Sequence, residues 1–148
     1  MRRCVETASA VLAGSELQPE ILPELCEINF GEWEERTFEE VQTANRARIQ
    51  RWAKFDPAFR FPGGERLGHF LSRVKRAAMK VSSTPQRTIV VITHGGVIRL
   101  LICHFLGLPM RKYVLFEPEP ASLTVINLFE SRKGTLAALI PCSRCKGN

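Results

Sequence analysis

The residues best suited to chemistry are Thr93–Gly96, read T-H-G-G, which follow the β-branched run Thr88–Thr93. This order predicts a buried strand that gives way to a helix at His94. Ligands bind at the carboxyl ends of strands in α/β proteins, and the amides at a helix start attract anions. Gly95 and Gly96 would let the backbone approach a ligand, and His94 could bind or titrate a phosphate. The alternative is a histidine satisfied inside a tight turn.

The elements that must position this corner alternate between helical and extended patterns. Apolar residues recur every three or four positions in the helical segments, and Thr37 with Glu40 forms a capping-box pattern. We therefore expect one α/β domain, a three-layer α/β/α sandwich with a mostly parallel sheet. The predicted helices are 2–13, Thr37 to about Phe55, 65–82 and Val97–Leu106, and the predicted strands are Thr88–Thr93, Ser122–Phe129 and Thr135–Ile140.

Composition excludes several classes of protein. The 148 residues are 45% hydrophobic and 24% charged, which is typical of a globular domain and not of a disordered chain. The apolar stretches fall short of the roughly 20 residues that a membrane helix needs. The net charge of +6 admits nucleic acid as a partner, but the sequence lacks a recognisable nucleic-acid motif. We expect neither a membrane nor a nucleic-acid partner, and the oligomeric state stays open.

The cysteines indicate a compartment and argue against a metal. Their number, five, is odd and they are scattered, which favours reduced thiols and a cytoplasmic protein. Cys142 and Cys145 form one C-x-x-C, which supplies only two of the four ligands of a structural zinc. The sequence therefore predicts no metal and no cofactor.

Four segments together resemble the histidine phosphatase superfamily, the phosphoglycerate-mutase-like proteins. Arg3–Ala8 resembles R-A-x-x-T-A, and Leu25–Glu34 resembles L-x-E-x-x-F-G-x-W-E. Phe61–Glu65 matches F-P-G-G-E, and Val91–Arg99 resembles V-x-T-H-G-G-x-I-R. The four occur in the family's order across most of the chain, and they are most similar to the α-ribazole phosphatases and broad-specificity phosphatases.

The resemblance implies a role for each matched residue. His94 would be the second active-site histidine, which polarises the phosphoryl group, and Glu27 the general acid that protonates the leaving oxygen. Arg3 would bind phosphate, and Glu65, like Gly95, would contact the substrate. Positive charge and a positioned acid are what phosphoryl transfer needs. The alternatives are a solvated cation for Arg3, a surface carboxylate for Glu27 and a carboxylate facing a helix dipole for Glu65.

The family's nucleophile, a histidine in an R-H-G motif that forms a phosphohistidine, is missing from this sequence. Met1 stands where the resembled pattern has the leucine of S-P-L, after the family's first strands. We expect residues 1–148 to be a single, N-terminally incomplete domain of this type. Either the chain is a fragment or the product of a misplaced start, or it is a naturally shortened, inactive relative. We expect the chain alone to be poorly stable and inactive.

The function that the resemblance implies is hydrolysis of a small phosphate ester, with α-ribazole 5′-phosphate as the leading substrate and cobalamin biosynthesis as the setting. A non-catalytic phosphate-binding or regulatory relative and a phosphoglycerate mutase are the alternatives. Glu35 stands where the family often has Gly, and Arg66 where it often has Ser. These departures leave the substrate branch open.

Overall fold

A computed structural model describes residues 2–131 and 133–142 of the chain. They form two compact units, one made of the segments up to Glu27 and from Val74, the other of Ile28–Arg73. The helices are α1 (Arg2–Val11), α2 (Phe38–Ala53), α3 (Leu67–Ser82) and α4 (Gly95–Phe105), with 3₁₀ turns at Pro23–Leu25, Gly31–Trp33 and Met110–Leu115. The strands are β1 (Leu123–Leu128) and β2 (Gly134–Ile140). None of the helices described is long and apolar enough to cross a membrane.

The four predicted helices are confirmed, with boundaries shifted by a few residues. The Thr37 hydroxyl accepts from the Glu40 amide at 3.2 Å, and the Glu40 carboxylate accepts from the Thr37 amide at 2.8 Å, so the capping box begins α2. Helix α1 ends two residues before its predicted end, and Gly14 follows with a φ of 82°. The residues of α3 at spacings of three and four are buried: Leu67, Phe70, Val74, Ala77 and Ala78.

The two C-terminal strands are confirmed as an antiparallel hairpin. Leu123 pairs with Ile140 and Leu128 with Gly134, with an irregularity in register between Val125 and Ile126. The Phe129 amide donates to the Lys133 carbonyl at 2.7 Å and closes the hairpin end. Helix α4 contacts both strands, so the hairpin covers part of its apolar surface.

The expected mostly parallel sheet is not present in the part of the chain that the structure describes. The predicted strand Thr88–Thr93 is neither helix nor strand, and the sheet of the described residues has only the two antiparallel strands. Ile89 and Val90 are exposed, Val90 by 70%. A β-branched run forms a strand only where a neighbour pairs with its amides and carbonyls, and the described residues pair no strand with it. The α/β class itself is confirmed.

The second unit, Ile28–Arg73, is held by aromatic packing. The Phe61 side chain is fully buried, and its ring meets those of Phe30, Trp33 and Phe59 edge-on at centroid distances of 5.0–5.2 Å. Trp52 of α2 adds a fourth ring 5.8 Å from Phe61. Edge-to-face contacts of this kind add to the free energy gained by burying the rings.

Glycine allows the two loops of this unit to touch. Gly31 has a φ of 58°, and a Cβ there would collide with the Pro62 carbonyl and the Gly64 amide. The Glu32 amide donates to that Pro62 carbonyl at 2.8 Å, and the Glu65 amide donates to the Asn29 carbonyl at 2.8 Å. The resembled F-G and P-G-G motifs therefore have a packing reason in this chain.

We predict that Phe61→Ala lowers the free energy of unfolding by about 3–5 kcal/mol, because it leaves a cavity at the centre of four rings. Urea denaturation measures the loss. Phe38→Ala is the matched control, since Phe38 is 56% exposed and its truncation should change stability by about 0.5 kcal/mol or less. Equal effects of the two substitutions would contradict the aromatic core.

We predict that Glu35→Gly raises the free energy of unfolding by about 1 kcal/mol. Glu35 has a φ of 60°, a left-handed conformation that costs residues with a Cβ about 1–2 kcal/mol, part of which the greater freedom of glycine in the unfolded chain offsets. Glu35→Ala is the control, because it removes the charge but keeps the Cβ. If both variants stabilise equally, the charge and not the backbone is responsible.

Candidate active site

His94 is the N-cap residue of α4, and burial of that helix holds it in place. Its backbone is extended, with φ −112° and ψ 160°, and its carbonyl accepts from the Ile98 amide at 2.8 Å. The side chain is only 6% exposed. Six residues of α4 are buried, namely Val97, Leu100, Leu101, Ile102, Cys103 and Phe105. The apolar helix therefore positions the histidine at its first turn.

Both nitrogens of the His94 ring have partners on α1. The Arg3 guanidinium lies against Nδ1, with Nη2 at 2.9 Å and Nε at 3.2 Å. The Cys4 Sγ lies 3.2 Å from Nε2. A guanidinium can only donate, so Nδ1 must accept, and the proton of the neutral ring belongs on Nε2, where it points to sulfur. The contacts thus select one tautomer.

The surroundings also disfavour the charged form of His94. Burial lowers the pKa of this imidazole, the Arg3 cation lowers it further, and the Glu27 carboxylate opposes them. The net pKa lies below the usual value for histidine, so the ring is neutral at neutral pH. A neutral ring with its proton on Nε2 can donate one hydrogen bond to an anion through that N–H.

Glu27 reaches the same corner from the loop that follows the 3₁₀ turn Pro23–Leu25. Its Oε2 accepts from the Gly96 amide at 3.0 Å, within the first turn of α4. The Thr93 hydroxyl donates to the Leu25 carbonyl at 2.6 Å, two residues before Glu27. The structure therefore brings together Arg3, Glu27 and His94, three residues that lie far apart in the sequence.

The two glycines of the corner differ in their surroundings. A Cβ on Gly95 would meet no atom within 4 Å, whereas a Cβ on Gly96 would lie 2.5 Å from Oε1 of Glu27. Gly95 was the predicted ligand contact, and its open surroundings leave room for one. Gly96 contacts the predicted acid, a role that the pattern H-G-G does not reveal.

Glu65, the remaining predicted site residue, lies in the other unit. Its carboxylate accepts from Nε and Nη2 of Arg73 at 2.8 and 2.9 Å, and His69 Nδ1 lies 2.9 Å away. Burial raises the pKa of Glu65, but the Arg73 hydrogen bond and charge, with Asn29 and His69, outweigh it and leave the pKa lowered. These contacts come from side chains of α3 and from the Asn29 amide, which donates to Oε2 at 3.4 Å.

His104 and the cysteine pair near the C-terminus form no second site among the described residues. His104 lies on α4, where burial lowers the pKa of its ring, and its carbonyl accepts from Lys133 Nζ at 3.0 Å. Residues 2–131 and 133–142 contain no cluster of three histidine, cysteine or acidic side chains able to hold a metal ion. The second cysteine of the C-x-x-C, Cys145, lies outside the described residues.

The sequence did not indicate that Cys4 contacts His94. Cys4 stands where the resembled motif has alanine, one residue after Arg3. Burial raises the pKa of its thiol, although the Arg3 charge acts in the opposite direction. The thiol is therefore mainly protonated at neutral pH and serves as an acceptor for the Nε2 proton of His94.

The arrangement places three groups with chemistry suited to a phosphate ester close to the start of α4. Arg3 supplies a permanent positive charge, the Nε2 proton of His94 is a donor, and the Glu27 carboxylate lies at the first turn of the helix that begins after His94. Positive charge and fixed donors stabilise the negative charge of a phosphoryl group, and a carboxylic acid can protonate an alcohol as it leaves. The site suits a phosphate monoester.

Comparison with known proteins points the same way. A model of the histidine phosphatase superfamily (branch 1) matches residues 1–139. Phosphoserine phosphatase 1 of Hydrogenobacter thermophilus is 29% identical over 143 residues, which are 96% of this chain and 68% of that protein. The adenosylcobalamin/α-ribazole phosphatase of Escherichia coli is 29% identical over 130 residues, which are 86% of this chain and 64% of that protein.

A solved structure matches as well. The α-ribazole phosphatase of Shigella flexneri superposes with a TM-score of 0.81 at 27% identity and covers 95% of this chain and 69% of that one. The family and the phosphoglycerate-mutase-like fold that the four motifs predicted are thereby confirmed. The chain spans about two thirds of the length of these relatives.

We predict that Arg3→Gln raises the pKa of His94, because it removes a nearby positive charge and the donor to Nδ1. A histidine NMR titration of the chain measures this. Arg2→Gln is the matched control, since Arg2 pairs with Glu6 on the exposed side of α1. Glu27→Gln should have the opposite effect to Arg3→Gln and lower the pKa of His94 further.

The same shift predicts how stability depends on pH. The folded pKa of His94 is below the unfolded one, so its contribution to stability is complete above the unfolded pKa and is lost as the pH falls towards the folded one. Arg3→Gln should lessen this loss. No change in the His94 titration in Arg3→Gln would contradict the contact.

Proposed function

The chain belongs to the histidine phosphatase superfamily, and on that basis we propose that its function is that of a phosphomonoesterase, the hydrolysis of a small phosphate ester. The observation that carries the proposal is the meeting of Arg3, His94 and Glu27 at the start of α4. The names of the phosphatase relatives support it. We further propose a cytoplasmic protein, on the odd number and scatter of the cysteines.

In the proposed reaction the phosphoryl group is held by the Arg3 guanidinium and by the Nε2 proton of His94, which leaves the Cys4 sulfur for a phosphate oxygen. A histidine nitrogen attacks phosphorus, and the bond from phosphorus to the ester oxygen breaks while Glu27 protonates that oxygen. Water then cleaves the phosphohistidine and releases phosphate. Arg3 and His94 contribute by stabilising charge on the transferred group.

The attacking histidine is not among the residues described at this site. The chain contains three histidines, His69, His94 and His104, and no R-H-G segment. His69 contacts Glu65, and His104 lies far along α4 from its first turn. We therefore propose that the 148-residue chain binds phosphate but has no turnover by itself.

The proposed substrate is α-ribazole 5′-phosphate, with phosphoserine as the next candidate. The name of the E. coli α-ribazole phosphatase supports the first choice, and that of the H. thermophilus phosphoserine phosphatase supports the second. The two relatives are equally identical to this chain, at 29%. Both compounds are phosphate monoesters of an alcohol, and their leaving oxygens need the proton that Glu27 can give.

A second candidate is a non-catalytic phosphate-binding relative. The contact between Arg3 and His94 supports it, because these two residues can hold a phosphate without a nucleophile. It differs from the first candidate in what happens when a nucleophile is supplied.

The test has two steps. First, calorimetry should show that the chain binds inorganic phosphate and that His94→Ala or Arg3→Gln weakens binding at least about tenfold. Second, a chimera that carries an R-H-G segment of a family member ahead of Arg2 should hydrolyse α-ribazole 5′-phosphate, phosphoserine or a phosphoglycerate. Glu27→Gln should reduce that turnover by about 100-fold or more.

The controls separate the candidates. Arg2→Gln should leave phosphate affinity unchanged apart from a small long-range effect of its charge. Phosphate binding with a silent chimera would support the non-catalytic relative, and phosphate transfer between positions of a phosphoglycerate would support a mutase. The proposed site would be contradicted if the chain did not bind phosphate. It would also be contradicted if His94→Ala and Arg3→Gln both bound phosphate as tightly as the unchanged chain.

A further inference from the structure

We infer that Thr93 and Gly96 are positioning residues that together hold the Glu27 carboxylate at the first turn of α4. The inference deepens the proposed function and rests on it for the consequence in catalysis. Its structural part concerns only contacts among Thr93, Gly96, Leu25 and Glu27, all of which lie in the unit that contains His94.

Glu27 needs such residues, because its own segment has little regular structure to fix it. It follows a single 3₁₀ turn, Pro23–Leu25, whose last hydrogen bond runs from the Cys26 amide to the Pro23 carbonyl at 3.1 Å. Neither a helix nor a strand includes Glu27. A general acid must nevertheless stand within hydrogen-bonding distance of the leaving oxygen, so its loop has to be tied to the rest of the site.

Thr93 provides the tie to the backbone of that loop. Its hydroxyl donates to the Leu25 carbonyl at 2.6 Å, a contact between residues 68 positions apart. Thr93 directly precedes His94, so the same backbone turn fixes the histidine and the loop that bears the acid. The hydroxyl makes this contact, and serine also carries a hydroxyl, whereas valine does not.

Gly96 provides the tie to the carboxylate itself. Its amide donates to Oε2 at 3.0 Å, and its lack of a side chain gives Oε1 room, since a Cβ would stand only 2.5 Å from that oxygen. Real Cβ atoms do not approach oxygen so closely, so an alanine would force the carboxylate away. Glycine here sets the position of the acid, and Gly95 does not, because its Cβ would meet nothing.

The contact also exploits the helix start. The first amides of α4 have no partner within the helix, and the positive end of the helix dipole lies beside them. The Glu27 carboxylate satisfies one of these amides and stands next to His94, which caps the same helix. One short stretch of chain thus fixes two groups of the site. Thr93 and Gly96 hold the loop and the carboxylate of Glu27, and His94 lies between them in the sequence.

The structural test uses NMR on the 148-residue chain and needs no turnover. The Gly96 amide proton should shift when Glu27 is changed to Gln, because a charged acceptor is replaced by a neutral one. In a Thr93→Val background that shift should shrink by about half or more, whereas Thr93→Ser should preserve it. Gly96→Ala should remove the response at residue 96, and Gly95→Ala, the matched control, should retain it at Gly96.

The functional test uses the R-H-G chimera and two leaving groups. Thr93→Val and Gly96→Ala should lower kcat for an alkyl phosphate at least about tenfold more than for p-nitrophenyl phosphate, since nitrophenolate leaves with little help from an acid. Thr93→Ser should restore the ratio. General loss of folding would reduce both activities alike, so the ratio separates misplacement of Glu27 from destabilisation.

The outcomes distinguish this inference from the proposed function. A Gly96 amide that ignores Glu27→Gln, or a response that Thr93→Val leaves intact, overturns the inference whether or not the chimera is active. The expected NMR responses with a silent chimera support the positioning contacts and count against the phosphatase. An active chimera whose two substrates lose activity equally in both variants overturns the inference and leaves the phosphatase standing.

Discussion

The contact of Arg3 with Nδ1 of His94 is the interaction on which the site depends. A guanidinium offers only donors, so this contact forces the histidine to accept on one nitrogen and to carry its proton on the other. Together with burial it also keeps the ring neutral. The first helix and the fourth are thereby joined through a single imidazole, whose remaining proton points to the Cys4 sulfur.

Packing of α4 makes that contact useful, because it fixes the turn that presents His94. Six residues of the helix are buried, and the Gly96 amide at its first turn donates to Glu27. Thr93 and Gly96 tie the loop of Glu27 to the same turn. Arg3, Glu27 and His94 therefore lie in one small region, although they come from a helix, a loop and the start of another helix.

In the second unit, loops are held together by contacts of a carboxylate and of aromatic rings. Glu65 is engaged by Arg73 and His69, and Phe61 lies among other rings in a region where glycine allows two loops to touch. The resemblance implies that Glu65 contacts the substrate. In this structure its carboxylate pairs with Arg73 and His69, which gives it a structural role. The lowered pKa of Glu65 follows from the same ion pair, which outweighs the effect of burial.

The sequence by itself determined the helices, the hairpin and the family, because capping boxes, apolar spacing and short motifs are local patterns. The apolar residues at every third or fourth position of α3 and the capping box of α2 can be recognised without knowledge of the residues that they contact. The tertiary structure alone decided that Cys4 meets His94 and that Gly96, not Gly95, contacts Glu27. It also decided that Thr88–Thr93 pairs with no strand among the residues that the structure describes. Each of these depends on atoms from distant segments, since a strand exists only beside another strand and a side-chain contact only after the chain has folded.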